Sequence, residues 1–246
     1  MTGGECFSAL CEKKIMNIAS IFKKVVMAIT GLLLVGFLVS HLAGNQFIYF
    51  GDHAFNSYAE FLENNPEIVY PAETGLLLIF IAHLVMAFKL TRENSAARVK
   101  ANEVRETAGQ STLSSRTMIV TGVIILAFVI MHVWQFKFGD KSQAGGLWGL
   151  VVIKTFQDPM FCAIYVVAML ALGFHLAHGI GSAFQSLGLF SQRRMTVRRI
   201  GQAMGWILAL GFMALPLYAI LAKPKVSDSK PIIVIPSIKA DMAEKK

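Results

Sequence analysis

Residues 25–51 read VVMAITGLLLVGFLVSHLAGNQFIYFG and contain no Asp, Glu, Lys or Arg. A helix needs about 20 predominantly apolar residues to cross the hydrocarbon core of a bilayer, and this stretch exceeds that length. Four further charge-free stretches follow, at residues 74–88, 117–136, 159–192 and 200–222. The sequence therefore predicts an all-α fold, an integral membrane bundle of five transmembrane helices, named here the first to the fifth span in chain order.

Two of these stretches depart from the ideal length. The second is short, and it reaches spanning length when Glu73, which follows Pro71, lies at one interface and the Lys89 side chain extends to the other. The fourth is longer than a bilayer requires, and we expect its helix to tilt or to project into the cytoplasm.

The composition favours a membrane environment. Hydrophobic residues make up 55% of the 246 residues and charged residues 15%, whereas a soluble domain carries roughly 25% charged residues. The three cysteines are too few for a disulfide framework. These numbers exclude an ordinary water-soluble domain.

Basic residues collect at one set of span ends. The N-terminal segment, the connection between the second and third spans with its flanks, and the connection between the fourth and fifth spans hold Lys13, Lys14, Lys23, Lys24, Lys89, Arg92, Arg98, Lys100, Arg105, Arg116, Arg193, Arg194, Arg198 and Arg199. The positive-inside rule then places the N-terminus in the cytoplasm and the C-terminus on the outer side, in a multi-pass protein of the cytoplasmic (inner) membrane. The net charge of +8 reflects this topology and requires no nucleic acid, and it creates a cationic cytoplasmic face that suits a soluble partner.

These boundaries divide the chain into three parts. Residues 1–24 form a cytoplasmic N-terminal segment, residues 25–222 the five-helix transmembrane domain, and residues 223–246 a polar C-terminal tail. The first apolar run is longer than the apolar region of a signal peptide and leads into further spans, so we expect an anchor helix and no cleavable signal peptide. We find no internal repeat strong enough to use.

The six histidines are concentrated within the spans. Only His53 falls in a connecting segment, and we expect it to be an exposed loop residue; the other five are His41, His83, His132, His175 and His178. An ionisable residue at membrane depth is costly and often functional, although some such residues only form hydrogen bonds between helices. Because four consecutive spans each carry a histidine, we favour a functional role.

Helix geometry sorts these histidines by depth. At about 1.5 Å per residue, His41 and His132 lie roughly 25 and 24 Å from the inner edge, and His83 lies roughly 9 Å from it. We therefore expect an outer pair, His41 with His132, and an inner pair, His83 with a histidine of the fourth span.

Paired imidazoles from facing helices are typical axial ligands of b-type haem, and two haems at two depths make an electron path across a bilayer. A zinc site is a weaker alternative, because it requires three or four ligands at one level and the chain has no H-E-x-x-H motif. A membrane di-iron oxygenase would require clustered histidine boxes. The pattern thus predicts two haem b groups within residues 25–222.

Three stretches carry a family resemblance. They are residues 23–45 (KKVVMAITGLLLVGFLVSHLAGN), residues 56–62 (NSYAEFL) and residues 175–188 (HLAHGIGSAFQSLG). Over about residues 20–222 the chain resembles the dihaem cytochrome b membrane anchors of succinate dehydrogenases and quinol:fumarate reductases, in their five-helix, single-subunit form. The resemblance implies that His41 and His132 bind the distal haem and that His83 and a fourth-span histidine bind the proximal haem.

The fourth ligand is either His175 or His178. The resemblance places a glycine four residues and another thirteen residues after the ligand, which matches His175 with Gly179 and Gly188, where a flat macrocycle can approach the backbone. Depth favours His178, which lies about 4.5 Å closer to the level of His83. We favour His175, with His178 as the alternative ligand or as a residue that contacts the haem propionates.

The resemblance also implies partners and substrates. They are a flavoprotein subunit and an iron–sulfur subunit on the cytoplasmic side, the lipid bilayer, and menaquinone or another quinone, and a dimer of complexes is open. It further implies that Glu63 handles the quinone proton, with Glu67 as its rival. The acidic residue that some members carry two positions before the fourth ligand is replaced by Gly173, which argues against a coupled transmembrane proton route.

Two other functions are compatible with the sequence. One is a dihaem cytochrome b subunit of a formate dehydrogenase or a hydrogenase, which also uses histidines on helices and docks an iron–sulfur partner. The other is a transporter with histidines as proton relays. An absorption spectrum separates the transporter from both haem proteins.

Overall fold

The computed structural model describes residues 3–98, 117–141, 144, 146–189 and 194–225 of the chain. Side chains are described for these ranges except residues 3–20, 94–98 and 194. Most of the polar connection between the second and third spans, and the C-terminal tail from residue 226, lie outside the described residues. The same holds for the side chains of the first basic cluster, Lys13 and Lys14.

All regular secondary structure in the described ranges is helical. The helices are α1 Gly3–Asn45, α2 Asp52–Glu63, α3 Pro66–Arg98, α4 Met118–Lys137, α5 Gly146–Phe156, α6 Pro159–Ser186 and α7 Arg194–Ala222. A 3₁₀ segment, Gln46–Phe50, extends α1, and most of α5 is a π-helix over Gly149–Phe156.

Five of these helices are long and apolar enough to cross a membrane, as the sequence predicted. They correspond to Ile21–Phe50, Pro66–Glu93, Met118–Lys137, Pro159–Ser186 and Met195–Ala222. Large apolar side chains such as Leu33, Leu77 and Trp134 are exposed on their outer faces, which is expected where the surrounding solvent is lipid. The predicted all-α, five-span fold class is confirmed.

The fourth span is the central helix of the bundle. Half of the most apolar stretch of the fourth span is buried. None of the most apolar stretch of the second span is buried, and that span packs mainly on the first. The fourth and fifth spans approach each other through glycines: a Cβ atom at Gly205 would lie 2.7 Å from the Ala177 nitrogen, and one at Gly201 would lie 2.8 Å from the Gly181 nitrogen. Small residues at such crossings are how helices in membranes reach close van der Waals contact.

Two ion pairs mark opposite ends of the bundle. Lys23 pairs with Glu93 where the first span begins and the second ends, and Lys137 pairs with Glu73 where the third span ends. Glu73, which the sequence placed at an interface, is thus paired at the end of the third span. The helix nevertheless begins earlier, at Pro66, and continues through Pro71.

The connections at the Glu73 end are helical and were predicted as loops. His53 is exposed, as expected, but it lies in the first turn of α2. Trp148 of α5 is almost fully buried; its indole N–H donates to the Ile48 carbonyl at 3.3 Å, and its backbone N–H donates to Asn56 Oδ1 at 2.9 Å. These contacts join α5 to α2 and to the 3₁₀ segment at the end of the bundle.

Candidate functional site

The outer pair of histidines is assembled between the first and third spans. The ring centroids of His41 and His132 lie 5.8 Å apart, and the ring planes are nearly perpendicular, at 88°. A metal bonded to one nitrogen of each of two opposed imidazoles, at about 2 Å per bond, holds the ring centres roughly 6 Å apart. The separation therefore fits two axial ligands of one iron.

Aromatic rings surround this pair. Phe37 and Phe212 lie 5.2 and 5.7 Å from the first-span histidine, and Phe128 and Phe136 lie 5.5 and 5.1 Å from the third-span histidine, measured between centroids. Such a lining excludes water and suits a large apolar macrocycle, because apolar area is what that ligand buries.

A chain of hydrogen bonds runs from the outer pair through polar side chains that are buried or half-buried. His132 Nδ1 lies 3.2 Å from the Tyr165 hydroxyl, which donates to Gln135 Oε1 at 3.0 Å. Gln135 Nε2 in turn donates to Thr155 Oγ1 at 3.4 Å, and the Thr155 hydroxyl donates to the Leu150 carbonyl at 2.9 Å. Sequence reasoning missed Tyr165, since one tyrosine in an apolar helix carries no signal of its own.

His41 has a different polar neighbour. The Asn45 side-chain nitrogen lies 3.4 Å from His41 Nε2 and also donates to the His41 carbonyl at 2.8 Å. Asn45 is one helical turn after its histidine, so this contact is local to the first span.

The expected inner pair, His83 and His175, is described by the contacts that each ring makes with a neighbouring span. Each ring faces a threonine on a neighbouring span: Thr30 Oγ1 lies 3.3 Å from His83 Nδ1, and Thr121 Oγ1 lies 3.2 Å from His175 Nδ1. Thr30 lies eleven residues before His41 in one helix, which separates the two pairs by roughly 16 Å along the bundle.

A glycine follows each of these threonines and admits the ring. A Cβ atom at Gly31 would lie 3.4 Å from His83 Cε1, and one at Gly122 would lie 3.6 Å from His175 Cε1. These are ordinary van der Waals distances, so each histidine ring lies one methyl group's width from the backbone of the adjacent helix.

His178, the alternative fourth ligand, lies in different surroundings. It interacts electrostatically with Arg198 of the fifth span, whereas the hydrogen-bond contact with Thr121 belongs to His175. This geometry favours His175 for the inner pair.

Gly179 and Gly188, the two glycines on which the resemblance favoured His175, have different surroundings. No described atom lies within 4 Å of a Cβ built at Gly179. Gly188 has a φ of 72° just after the end of α6 at Ser186, and the next residue, Leu189, donates its N–H to the Phe184 carbonyl. Gly188 is thus the residue that ends the helix in a left-handed conformation, and close approach of a macrocycle is not needed to explain it.

The first and third spans share a short sequence pattern, which is a weak internal repeat. Residues 27–41 and 118–132 both read M-x2-T-G-x5-F-x3-H. The shared threonine contacts the inner pair and the shared glycine lies beside it, whereas the shared phenylalanine and histidine lie at the outer pair. Aligning the spans on their histidines reveals this signal in the sequence.

The acidic candidates lie at the end of the bundle nearer the outer pair. Glu63, at the end of α2, pairs with Lys141, and its side chain is 56% exposed. Glu67, in the first turn of α3, is also exposed. At Gly173, where the acidic residue is missing, a Cβ would lie 2.5 Å from Trp206, so the fifth span fills the space that a longer side chain would require.

Among the described side chains, no group of three or more His, Cys, Asp or Glu residues converges as a bare metal ion would require. A haem supplies four ligand nitrogens of its own, so two histidines per iron complete its coordination. The paired histidines, the spacing of the outer pair and the apolar lining fit that group.

Five apolar helices enclosing facing histidines define a multi-pass helical membrane protein with ionisable residues inside its bundle, where such residues mark functional sites. The chain is similar to the succinate dehydrogenase cytochrome b558 subunit of Bacillus subtilis (strain 168), with 28% identity over 168 residues that cover 66% of this chain and 77% of that protein. No family model matches the chain, and no solved structure matches it. The similarity agrees with the resemblance noted in the sequence.

Proposed function

We propose that the protein is the dihaem cytochrome b membrane anchor of a succinate:quinone oxidoreductase, a succinate dehydrogenase or quinol:fumarate reductase. It carries electrons between a cytoplasmic iron–sulfur subunit, itself joined to a flavoprotein subunit, and the membrane quinone. One observation supports the proposal most: the first four spans of a chain similar to a succinate dehydrogenase cytochrome b subunit each carry a histidine, and the rings of His41 and His132 lie 5.8 Å apart.

The chain's own residues have separate tasks in this function. His41 and His132 would hold one haem b and His83 and His175 the other, each through a ring nitrogen. The bound haems supply reversible one-electron chemistry at two depths. The phenylalanine rings around the outer pair exclude water.

The quinone site of the proposal lies near the outer pair. There Glu63 exchanges the quinone proton, and its partner Lys141 holds the carboxylate at the end of the spans. Glu67 is the competing acid, and it lies in the first turn of the next helix, α3.

The first experiment determines the haem content of the full chain, expressed with its partner subunits. We expect two b-type haems per chain, both reduced when succinate is added to the complex. Replacing any one of His41, His83, His132 and His175 by Ala removes one haem, whereas the matched replacement of the exposed His53 retains both. A colourless chain rejects every haem function, and haems that succinate leaves oxidised in the intact complex reject the succinate assignment in favour of another oxidoreductase.

His178 provides the test of the fourth ligand. His178→Ala retains both haems if His175 is the ligand. Loss of a haem in His178→Ala together with its retention in His175→Ala would reverse the assignment.

A further inference from the structure

We infer that Thr30 and Thr121 are positioning residues for the inner pair: their hydroxyls fix the tautomer and the rotation of His83 and His175, so that each ring presents Nε2 to the iron. The inference rests on the proposed function, since it concerns how the chain prepares the ligands of one haem. It assigns a role to two side chains outside the ligand set.

The direction of the hydrogen bonds follows from the donors available. A threonine hydroxyl has one proton. The Thr30 hydroxyl donates it to the carbonyls of Val26 and Met27, at 2.9 and 3.1 Å. The oxygen can then only accept from His83, so Nδ1 of that ring carries the proton and Nε2 keeps its lone pair.

The third span repeats this arrangement. The Thr121 hydroxyl donates to the carbonyls of Thr117 and Met118, at 2.9 and 3.1 Å, and therefore accepts from His175 Nδ1. The two sets of contacts agree within 0.1 Å in the carbonyl distances and in the histidine distances. They arise from the same Thr–Gly step of the shared sequence pattern, so the two sides of the inner site are built alike.

Each ring also lies beside the glycine that follows its threonine, where an added Cβ would make ordinary contact, 3.4 Å from His83 Cε1 or 3.6 Å from His175 Cε1. A histidine ligand held through its second nitrogen has a defined orientation and a more basic metal-binding nitrogen. A more basic ligand stabilises ferric over ferrous iron and lowers the reduction potential of the haem.

The outer pair obtains its corresponding contact from a different residue type. The Tyr165 hydroxyl donates to Gln135 Oε1 and so accepts from His132 Nδ1. The orientation of the Gln135 amide is set by its own donation to Thr155, whose hydroxyl proton is committed to the Leu150 carbonyl. Tyr165 therefore acts on the outer haem alone, which provides an internal comparison.

The test is a potentiometric titration of the haems in the full chain assembled with its partners. Thr30→Val and Thr121→Val replace the hydroxyl by a methyl group of similar size. Each is expected to change the redox equilibrium constant of the same haem by about threefold to tenfold in favour of the reduced form. This corresponds to a rise of about 30–60 mV in its reduction potential, at 59 mV per decade for one electron. Tyr165→Phe is expected to shift the other haem.

Two further variants separate the hydroxyl from packing. Thr30→Ser keeps the hydroxyl and is expected to retain the native potential. Thr74, which also precedes a glycine, is exposed on the second span, and Thr74→Val is expected to change neither haem. If Thr30→Val does not accumulate, Thr121→Val and Thr121→Ser give the same comparison on the other side of the site.

Several results would overturn the inference. They are unchanged potentials in both valine variants, shifts of two different haems by Thr30→Val and Thr121→Val, or an equal shift in the serine variants. Absence of two haems from the unmodified chain would instead reject the proposed function, so the two failures are distinguishable.

Discussion

The packing of the fourth span against the fifth depends on Gly205, and replacing it by Ala should measure that dependence. The new Cβ would lie 2.7 Å from the Ala177 nitrogen and 2.9 Å from the Leu176 side chain, whereas ordinary contact begins at 3.4 Å. The two helices must therefore separate by about 1 Å, and overpacking of this kind costs about 1–3 kcal/mol. The gain in helix propensity from Gly to Ala, about 1 kcal/mol, offsets part of that cost.

Gly36 is the matched control. It lies within the first span with no described atom within 4 Å of its added Cβ, and the repeat places Ala127 at the equivalent position of the third span. Gly36→Ala should therefore be neutral or stabilising by up to about 1 kcal/mol.

Thermal unfolding of the purified chain in detergent measures both variants. For a chain of this size a change of 1 kcal/mol moves the midpoint by about 2–4 °C, so Gly205→Ala should unfold several degrees below Gly36→Ala. Because the fourth span carries His175, the shifted helix should also weaken the inner haem before the outer haem. Equal stability of the two variants would refute the close approach of the fourth and fifth spans.

Three further predictions concern the outer site and the topology. Tyr165→Phe removes a hydrogen-bond partner from His132 and from Gln135, and at about 1–3 kcal/mol for each group left unpaired it should lower the unfolding midpoint. Adding Gln135→Leu should recover part of that loss. Strictly additive effects in the double variant would contradict the hydrogen bond between Tyr165 and Gln135. Glu63→Gln should lower quinone turnover by about 100-fold with haem content unchanged, as expected for loss of a proton-transfer group. Glu67→Gln should keep quinone turnover within about twofold of the unmodified protein. A larger loss in Glu67→Gln than in Glu63→Gln would assign the role to Glu67. A phosphatase reporter that is active only outside the cytoplasm should be active when fused after residue 225 and inactive after residue 98, and the opposite pattern would invert the predicted orientation.

Much of the site could be anticipated from spacing alone. The five spans follow from charge-free runs, because a lipid interior does not hydrate charged side chains. The levels of His41, His83 and His132 follow from the fixed rise of a helix, and the ring centroids of His41 and His132, which those levels predict as a pair, lie 5.8 Å apart.

The supporting residues could not be found in the same way. Thr30, Thr121 and Tyr165 are ordinary residues within apolar helices, and their value depends on which helix faces them. The helix α5 was also missed, since its short apolar run looks like a loop when only membrane-length stretches are sought.

The sequence by itself determined the number of spans, the order of the histidines along them and their depths, because these depend only on composition and on the rise per residue along a helix axis. The tertiary structure decided which hydroxyl meets which histidine, how closely the fourth and fifth spans pack, and that Gly188 serves to end a helix. The physical reason is that a helix in a membrane is apolar on its lipid side and on its protein side alike. Its hydrophobic pattern therefore does not reveal its rotation, which is settled only when neighbouring helices pack and their few polar groups find partners.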